Sequence, residues 1–105
     1  MSGVKTRIGA IGVDGRAVDC KTALTSEVDS ILQWAHYAGK SVGIVTTTRI
    51  THATPAGAYA HVYQRDLEAY DIYFPPSDYT EGCRDIADQL VSRHSYINVN
   101  KYTKI

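Results

Sequence analysis

A run of hydroxyl, imidazole and guanidinium groups stands out between positions 46 and 65. It reads Thr46-Thr47-Thr48-Arg49-Ile50-Thr51-His52-Ala53-Thr54-Pro55, with His61 and Arg65 following. Hydroxyls and imidazoles can meet a hard cation directly or through its bound water. A guanidinium offers a two-pronged grip on phosphate. Thr54-Pro55 has the form of a helix N-cap followed by proline at the first helical position, and a helix start presents free backbone N–H groups to an anion. Each residue also has a plainer role: Thr54 as a cap alone, His52 as a surface histidine, Arg65 as a solvated charge. Residue types and spacing by themselves favour those plainer roles, because caps are common and lone histidines seldom bind metal.

Other candidates are weaker. Gly9, Gly12 and Gly15 are spaced neither as a dinucleotide fingerprint nor as a P-loop, and glycine in a packed strand and turn accounts for them. Neither Cys20 nor Cys83 has a close second cysteine or histidine, so they do not form a zinc pair. Two free thiols in a reducing compartment, or one bridge in an oxidising one, are both open. His36 falls on the polar side of its predicted helix and His94 in the last turn of another, and both are expected to face solvent, as are Asp85 and Asp88, opposite the apolar face.

The elements that must position these groups follow from hydrophobic periodicity. Ile8–Val13 is β-branched and ends at Asp14-Gly15, which predicts a strand and a turn. Ser26–Ala38 carries Val28, Ile31, Leu32, Ala35 and Ala38 on one face, with Thr25 or Ser26 as its cap and Gly39 after its end, which predicts a helix. Ser41–Thr47 predicts a strand buried on both faces. A short helix through Ala56–Tyr63, an ordered loop over Leu67–Tyr79, and a helix opening at Asp78-Tyr79-Thr80-Glu81 follow. Tyr96–Val99 completes the order as a last strand. That order implies one α/β domain with a largely parallel sheet, whose ligand site lies beyond the carboxyl ends of the strands.

Composition narrows the class of partner. The chain has 105 residues, eleven basic against eleven acidic, and is 44% hydrophobic, enough for one small core. No polybasic footprint for nucleic acid is present. The apolar runs are too short to cross a bilayer. Met1–Thr6 lacks the apolar stretch of a signal peptide.

Gly39-Lys40-Ser41-Val42-Gly43-Ile44-Val45-Thr46-Thr47-Thr48-Arg49, then His52-Ala53-Thr54-Pro55 and Ala58-Tyr59-Ala60-His61, resembles the animal alkaline phosphatases. So do Gln33-Trp34-Ala35 before it and Glu81-Gly82-Cys83-Arg84-Asp85-Ile86-Ala87 after it. The match runs from about Ser2 to about Val99 in one order, while residues 100–105 do not match. The resemblance implies an alkaline-phosphatase-like fold, here a partial three-layer αβα sandwich. It also implies a phosphomonoester hydrolase with two zinc ions and one magnesium ion beside a serine nucleophile.

Carried over by position, Thr54 falls where the family places a hydroxyl on magnesium. His52 falls beside that ion's water shell, and Arg65 on the arginine that clamps the substrate phosphate. Cys20 and Cys83 match a pair that forms a disulfide in animal members. Ser2–Lys5 resembles the end of the helix whose start bears the nucleophile, so that serine and the zinc ligands are expected outside this chain, which is read as an internal fragment, inactive alone. The family further implies a homodimer, a GPI lipid anchor and a place outside the plasma membrane or secretion, though no targeting or anchor signal lies in this chain. Two alternatives stand beside this reading: a non-enzymatic truncated product acting as a binding module or not folding alone, and a flavodoxin-like nucleotide-binding domain suggested by element order only.

Overall fold

A computed structural model describes residues 1–71 and 73–99. The elements in chain order are α1 (Cys20–Leu24), α2 (Ile31–Tyr37), β1 (Gly43–Ile44), α3 (Ala53–Ala56), α4 (Pro76–Thr80), α5 (Ile86–Arg93) and β2 (Asn98–Val99). β1 and β2 pair in parallel, Gly43 opposite Asn98 and Ile44 opposite Val99. The unmatched tail at 100–105 lies outside the described residues.

Local chemistry shortens several predicted elements. Ile8–Val13 makes only isolated antiparallel bridges, Ile11 to Val62 and Val13 to Glu27, instead of a strand. Gly9 and Gly12 take φ of 87° and 64°, which breaks the extended path. Gly12 has a second constraint: a Cβ there would stand 1.9 Å from the Ala60 carbonyl oxygen. Ser2–Lys5 is not helical. The long helix predicted from Ser26 begins only after Ser30. The Ser30 Oγ accepts from the Gln33 N–H and the Gln33 side chain accepts from the Ser30 N–H, a reciprocal cap that sets the start. The face that results buries Gln33 and leaves Ile31 exposed, against the apolar stripe expected from spacing.

Among the described residues the strand predicted over Ser41–Thr47 is paired only at Gly43–Ile44, and Val45 is exposed, so burial on both faces is not observed. The helix predicted after Thr54 is a single turn, Ala53–Ala56, with His52 as its N-cap residue and no side-chain cap bond. Thr54 and Pro55 lie inside that turn. Pro76 opens α4 within the segment predicted as loop, and Asp85, whose side chain accepts from the Asp88 N–H, caps α5 in place of Asp78.

The core joins these pieces. Ile11, Ile44, Ile50, Ala56, Tyr59, Val62, Ile86, Leu90 and Ile97 form one buried cluster, and Val13, Ala17 and Ala23 a smaller one. Tyr59, fully buried, donates its hydroxyl to the Ile50 carbonyl at 2.7 Å, which satisfies its polar end. Cys20 and Cys83 are bonded, with Cα atoms 6.0 Å apart, and the bridge ties the start of α1 to the turn after α4.

Candidate functional site

The chain leaves β1 through a hydroxyl-rich turn. The Thr46 and Thr48 hydroxyls share a hydrogen bond of 2.7 Å, and the Thr48 N–H donates to Thr46 Oγ1. Arg49 then forks onto Glu68 with two bonds of 3.0 Å, and the Thr51 hydroxyl donates to the same carboxylate at 2.7 Å. The Arg49 guanidinium, helped by Thr51, holds the Glu68 carboxyl below the usual carboxylate range against the opposing effect of burial. Arg49 is therefore spoken for. Nothing in the sequence spacing pointed to Glu68, because the ion pair spans a loop rather than a helical turn.

Arg65 is different. Its backbone N–H donates to the Gly9 carbonyl at 2.8 Å, and the neighbouring pair of bonds between Ile11 and Val62 continues that ladder. The segment is thus pinned while its side chain projects outward. Nη2 of the guanidinium lies 3.3 Å from His52 Nε2. Among the described residues no carboxylate pairs with Arg65. A guanidinium carries five N–H donors, so most remain available to an anion.

His52 is half-buried and completes this pairing. With Nε2 accepting from Arg65, Nδ1 carries the proton, and that atom is buried without a protein partner. A buried donor left open costs about 1–3 kcal/mol unless something else accepts from it. A metal-ordered water or a phosphate oxygen would satisfy it.

Thr54 stands in α3 with its side chain exposed. It lines a cleft of about 270 Å³ together with Ile44, Val45 and Thr46, at the carboxyl end of β1. It also borders a second cleft of about 290 Å³ beside Gly12, Ser30 and His61. Since His52 occupies the N-cap position, Thr54 is not the helix cap that its sequence context suggested. The structure brings His52 to Arg65; among the described residues no hydrogen bond joins Thr54 to either.

His61 is 7% exposed and structural on one side: Nδ1 donates to the Gly12 carbonyl at 2.7 Å. Its backbone is gripped by Gln89, whose side chain accepts from the His61 N–H and donates to the His61 carbonyl. That reciprocal pair locks α5 against the segment leading to Arg65.

His94 is buried, contrary to the solvent-facing position expected for it, with Nδ1 2.9 Å from the Tyr96 hydroxyl. His36, also expected to face solvent, is half-buried and stacks on Tyr96 at 3.6 Å between ring centroids. Burial first, then the charges of Arg93 and His61, push the His94 pKa down from 6.5 to about 4, outweighing Glu27. A histidine that resists protonation in the folded state leaves the unfolded chain binding more protons below its ordinary pKa. Stability should therefore fall as pH drops from about 6.5 and level off below about 4. Urea midpoints across that range should show the decline, and His94→Gln should flatten it; an unchanged slope in the variant would contradict the assignment.

The donor set fits part of a magnesium shell. Thr54 offers a hydroxyl ligand and His52 an outer contact, but magnesium ordinarily takes one or two carboxylates as well. Among the described residues the one trio of potential ligands close enough to share an ion is Cys20, Asp78 and Glu81, which does not include Thr54 or His52. The residues around Thr54 thus provide no zinc-ligand set.

Comparison with known proteins gives a consistent result. The sequence profile of the family described as alkaline phosphatase matches residues 1–100. The tissue-nonspecific alkaline phosphatase isozymes of Rattus norvegicus and Homo sapiens are each 48% identical over 101 residues, covering 94% of this chain. An alkaline phosphatase of Gadus morhua is 49% identical over 102 residues. The chain spans only 19% of the length of the two mammalian relatives and 21% of the cod protein.

Proposed function

The chain belongs to the alkaline phosphatase family, and from that premise we propose that it contributes the phosphate-clamping and magnesium-side part of a phosphomonoester hydrolase. The observation that carries this reading is the Arg65–His52 pair: among the described residues, a guanidinium paired with no carboxylate, set against an imidazole whose other nitrogen is buried and without a partner. Arg65 would bind two non-bridging phosphate oxygens through its fork, placing positive charge where negative charge gathers during transfer. His52 would hold the guanidinium from behind and donate from Nδ1 to phosphate or to ordered water. Thr54 would hold magnesium by its hydroxyl. When bound, magnesium would supply charge and ordered water next to the phosphate.

The nucleophilic serine and the zinc ligands would come from other segments of the protein, and hydrolysis would pass through a phosphoserine. The parallel pairing of β1 with β2 supports a place within a three-layer αβα sandwich with a largely parallel sheet. Family membership implies metal cofactors; zinc and magnesium in particular, a homodimer, a lipid anchor and an extracellular location belong to the proposal.

Thr54 gives the test. In the full-length protein Thr54→Ala should raise the magnesium concentration for half-maximal activity by about 10-fold or more, as loss of a metal-orienting group commonly does. Thr54→Ser, which keeps the hydroxyl, should restore it. Magnesium dependence identical in wild type and Thr54→Ala would remove Thr54 from the site.

A further inference from the structure

A second cluster of potential ligands forms around the disulfide. Cys20 Sγ, one Asp78 carboxylate oxygen and one Glu81 carboxylate oxygen all lie within 4.8 Å of one another. Cys83 Sγ is bonded to Cys20 Sγ and so belongs to the same group. The sequence positions explain the convergence. Asp78 sits in α4 and Glu81 at its C-cap, so their side chains are neighbours across one helical turn. Cys83 follows at once, its N–H donating to the Asp78 carbonyl. Cys20 starts α1 and meets them from the other side.

Asp78 is 7% exposed, yet among the described residues no basic side chain pairs with Asp78 or Glu81. The nearest polar partner is a neutral donor, the Tyr63 hydroxyl, at 2.5 Å from Asp78 Oδ2. Burial, that hydrogen bond, and the charges of Asp78, Asp19 and Glu81 together push the Tyr63 pKa up. One buried carboxylate, Asp78, and one exposed carboxylate, Glu81, thus meet beside the disulfide, and among the described residues neither is salt-bridged to a base. A hydroxyl that fixes the orientation of one carboxylate is the kind of support that metal ligands commonly have.

We propose that, once the Cys20–Cys83 bridge is reduced, Cys20, Cys83, Asp78 and Glu81 form a tetrahedral site for a thiophilic divalent cation of the zinc type. With the bridge closed the sulfurs are not thiolates, and the site does not exist. An external dithiol reduces the bridge: its two sulfurs join as a new disulfide, and its electron pair and two protons leave Cys20 and Cys83 as thiols. Binding then releases both thiol protons as two thiolates and two carboxylates close on the ion. For metal–sulfur bonds of about 2.3 Å the two sulfurs must stand roughly 3.8 Å apart. A Cα separation of 6.0 Å allows this by side-chain rotation alone. Two sulfurs and two oxygens are a donor set that zinc accepts and magnesium does not.

The test uses Co²⁺ alone as a spectroscopic probe for Zn²⁺, titrated into the chain with the bridge closed and with it reduced by a phosphine. Reduction should bring one Co²⁺ per chain, with thiolate charge-transfer absorption and the intense visible bands of a tetrahedral ion. Glu81→Gln, a change at an exposed side chain, should weaken binding at least 10-fold, and Asp78→Asn should do the same. Because reduction itself loosens the chain, the thermal midpoint is the second reading: Zn²⁺ should raise it in the reduced wild type and not in Glu81→Gln. Equal binding with the bridge closed would overturn the proposal. So would binding to the reduced chain that both carboxamide variants leave unchanged, or Co²⁺ uptake without any gain in thermal midpoint.

Discussion

Opening the Cys20–Cys83 bridge in metal-free buffer should lower the stability of the chain by about 4 kcal/mol. The bridge spans a sequence separation of 63. In the chain-entropy account, closing a loop of that length restricts the unfolded ensemble by this amount, provided the folded state is not distorted. The folded partners support that condition. Cys20 is 1% exposed at the start of α1, and the Cys83 N–H is held by the Asp78 carbonyl, so both ends stay positioned by other contacts. For a domain of this size each kcal/mol moves the thermal midpoint by roughly 4–8 °C, so reduction should lower it by roughly 15–30 °C. Thermal unfolding followed by circular dichroism, with and without reductant, reads the effect directly, and Cys83→Ser separates it from any action of the reagent. A shift of less than about 5 °C would mean that the bridge constrains little that the core does not already hold.

The second large effect is expected at Arg65. In the full-length protein Arg65→Ala should lower kcat/KM for p-nitrophenyl phosphate by about 10²–10³-fold, the usual cost of removing one preorganised donor from developing charge. Inhibition by inorganic phosphate should weaken at the same time, because the fork also binds the ground state. Arg65→Lys should recover little, since an ammonium cannot make the planar two-pronged contact. The fold should be indifferent: the side chain is exposed, and among the described residues its one side-chain hydrogen-bond partner is His52. Unaltered circular dichroism with a collapse of activity would place the effect in the site. Activity within about threefold of wild type would remove Arg65 from it.

How much of this was legible in the sequence depends on the range over which each feature is determined. Helix α2 was visible from periodicity, but its start was misplaced because the Ser30–Gln33 cap overrode the apolar spacing that began at Ser26. Thr54-Pro55 read as a helix opening, yet the turn begins two residues earlier, with His52 at the cap. The run Ile8–Val13 has strand composition. Two glycines at positive φ and the close approach of Gly12 to Ala60 prevent the strand, and no local pattern reveals an approach across the chain. His94 looked solvent-facing on its helix; the rings of Tyr59, His61 and Tyr96, brought in from elsewhere, bury it. The assignments of Arg65, Thr54 and the cysteine pair came from family resemblance rather than spacing. The contact between Arg65 and His52 emerged only with the fold.

The central claim is that this chain holds part of a phosphatase site and not the whole of it. The direct measurement is p-nitrophenyl phosphate hydrolysis at alkaline pH by the chain itself, with zinc and magnesium added, beside an Arg65→Ala control. Arg65 and His52 can attract phosphate, but attraction to the ground state does not accelerate its transfer. Nor do the described residues set a zinc-ligand group beside Thr54. The account expects turnover at background for both proteins. Robust turnover by the chain, abolished by Arg65→Ala, would show that the complete site lies within these residues and would contradict it.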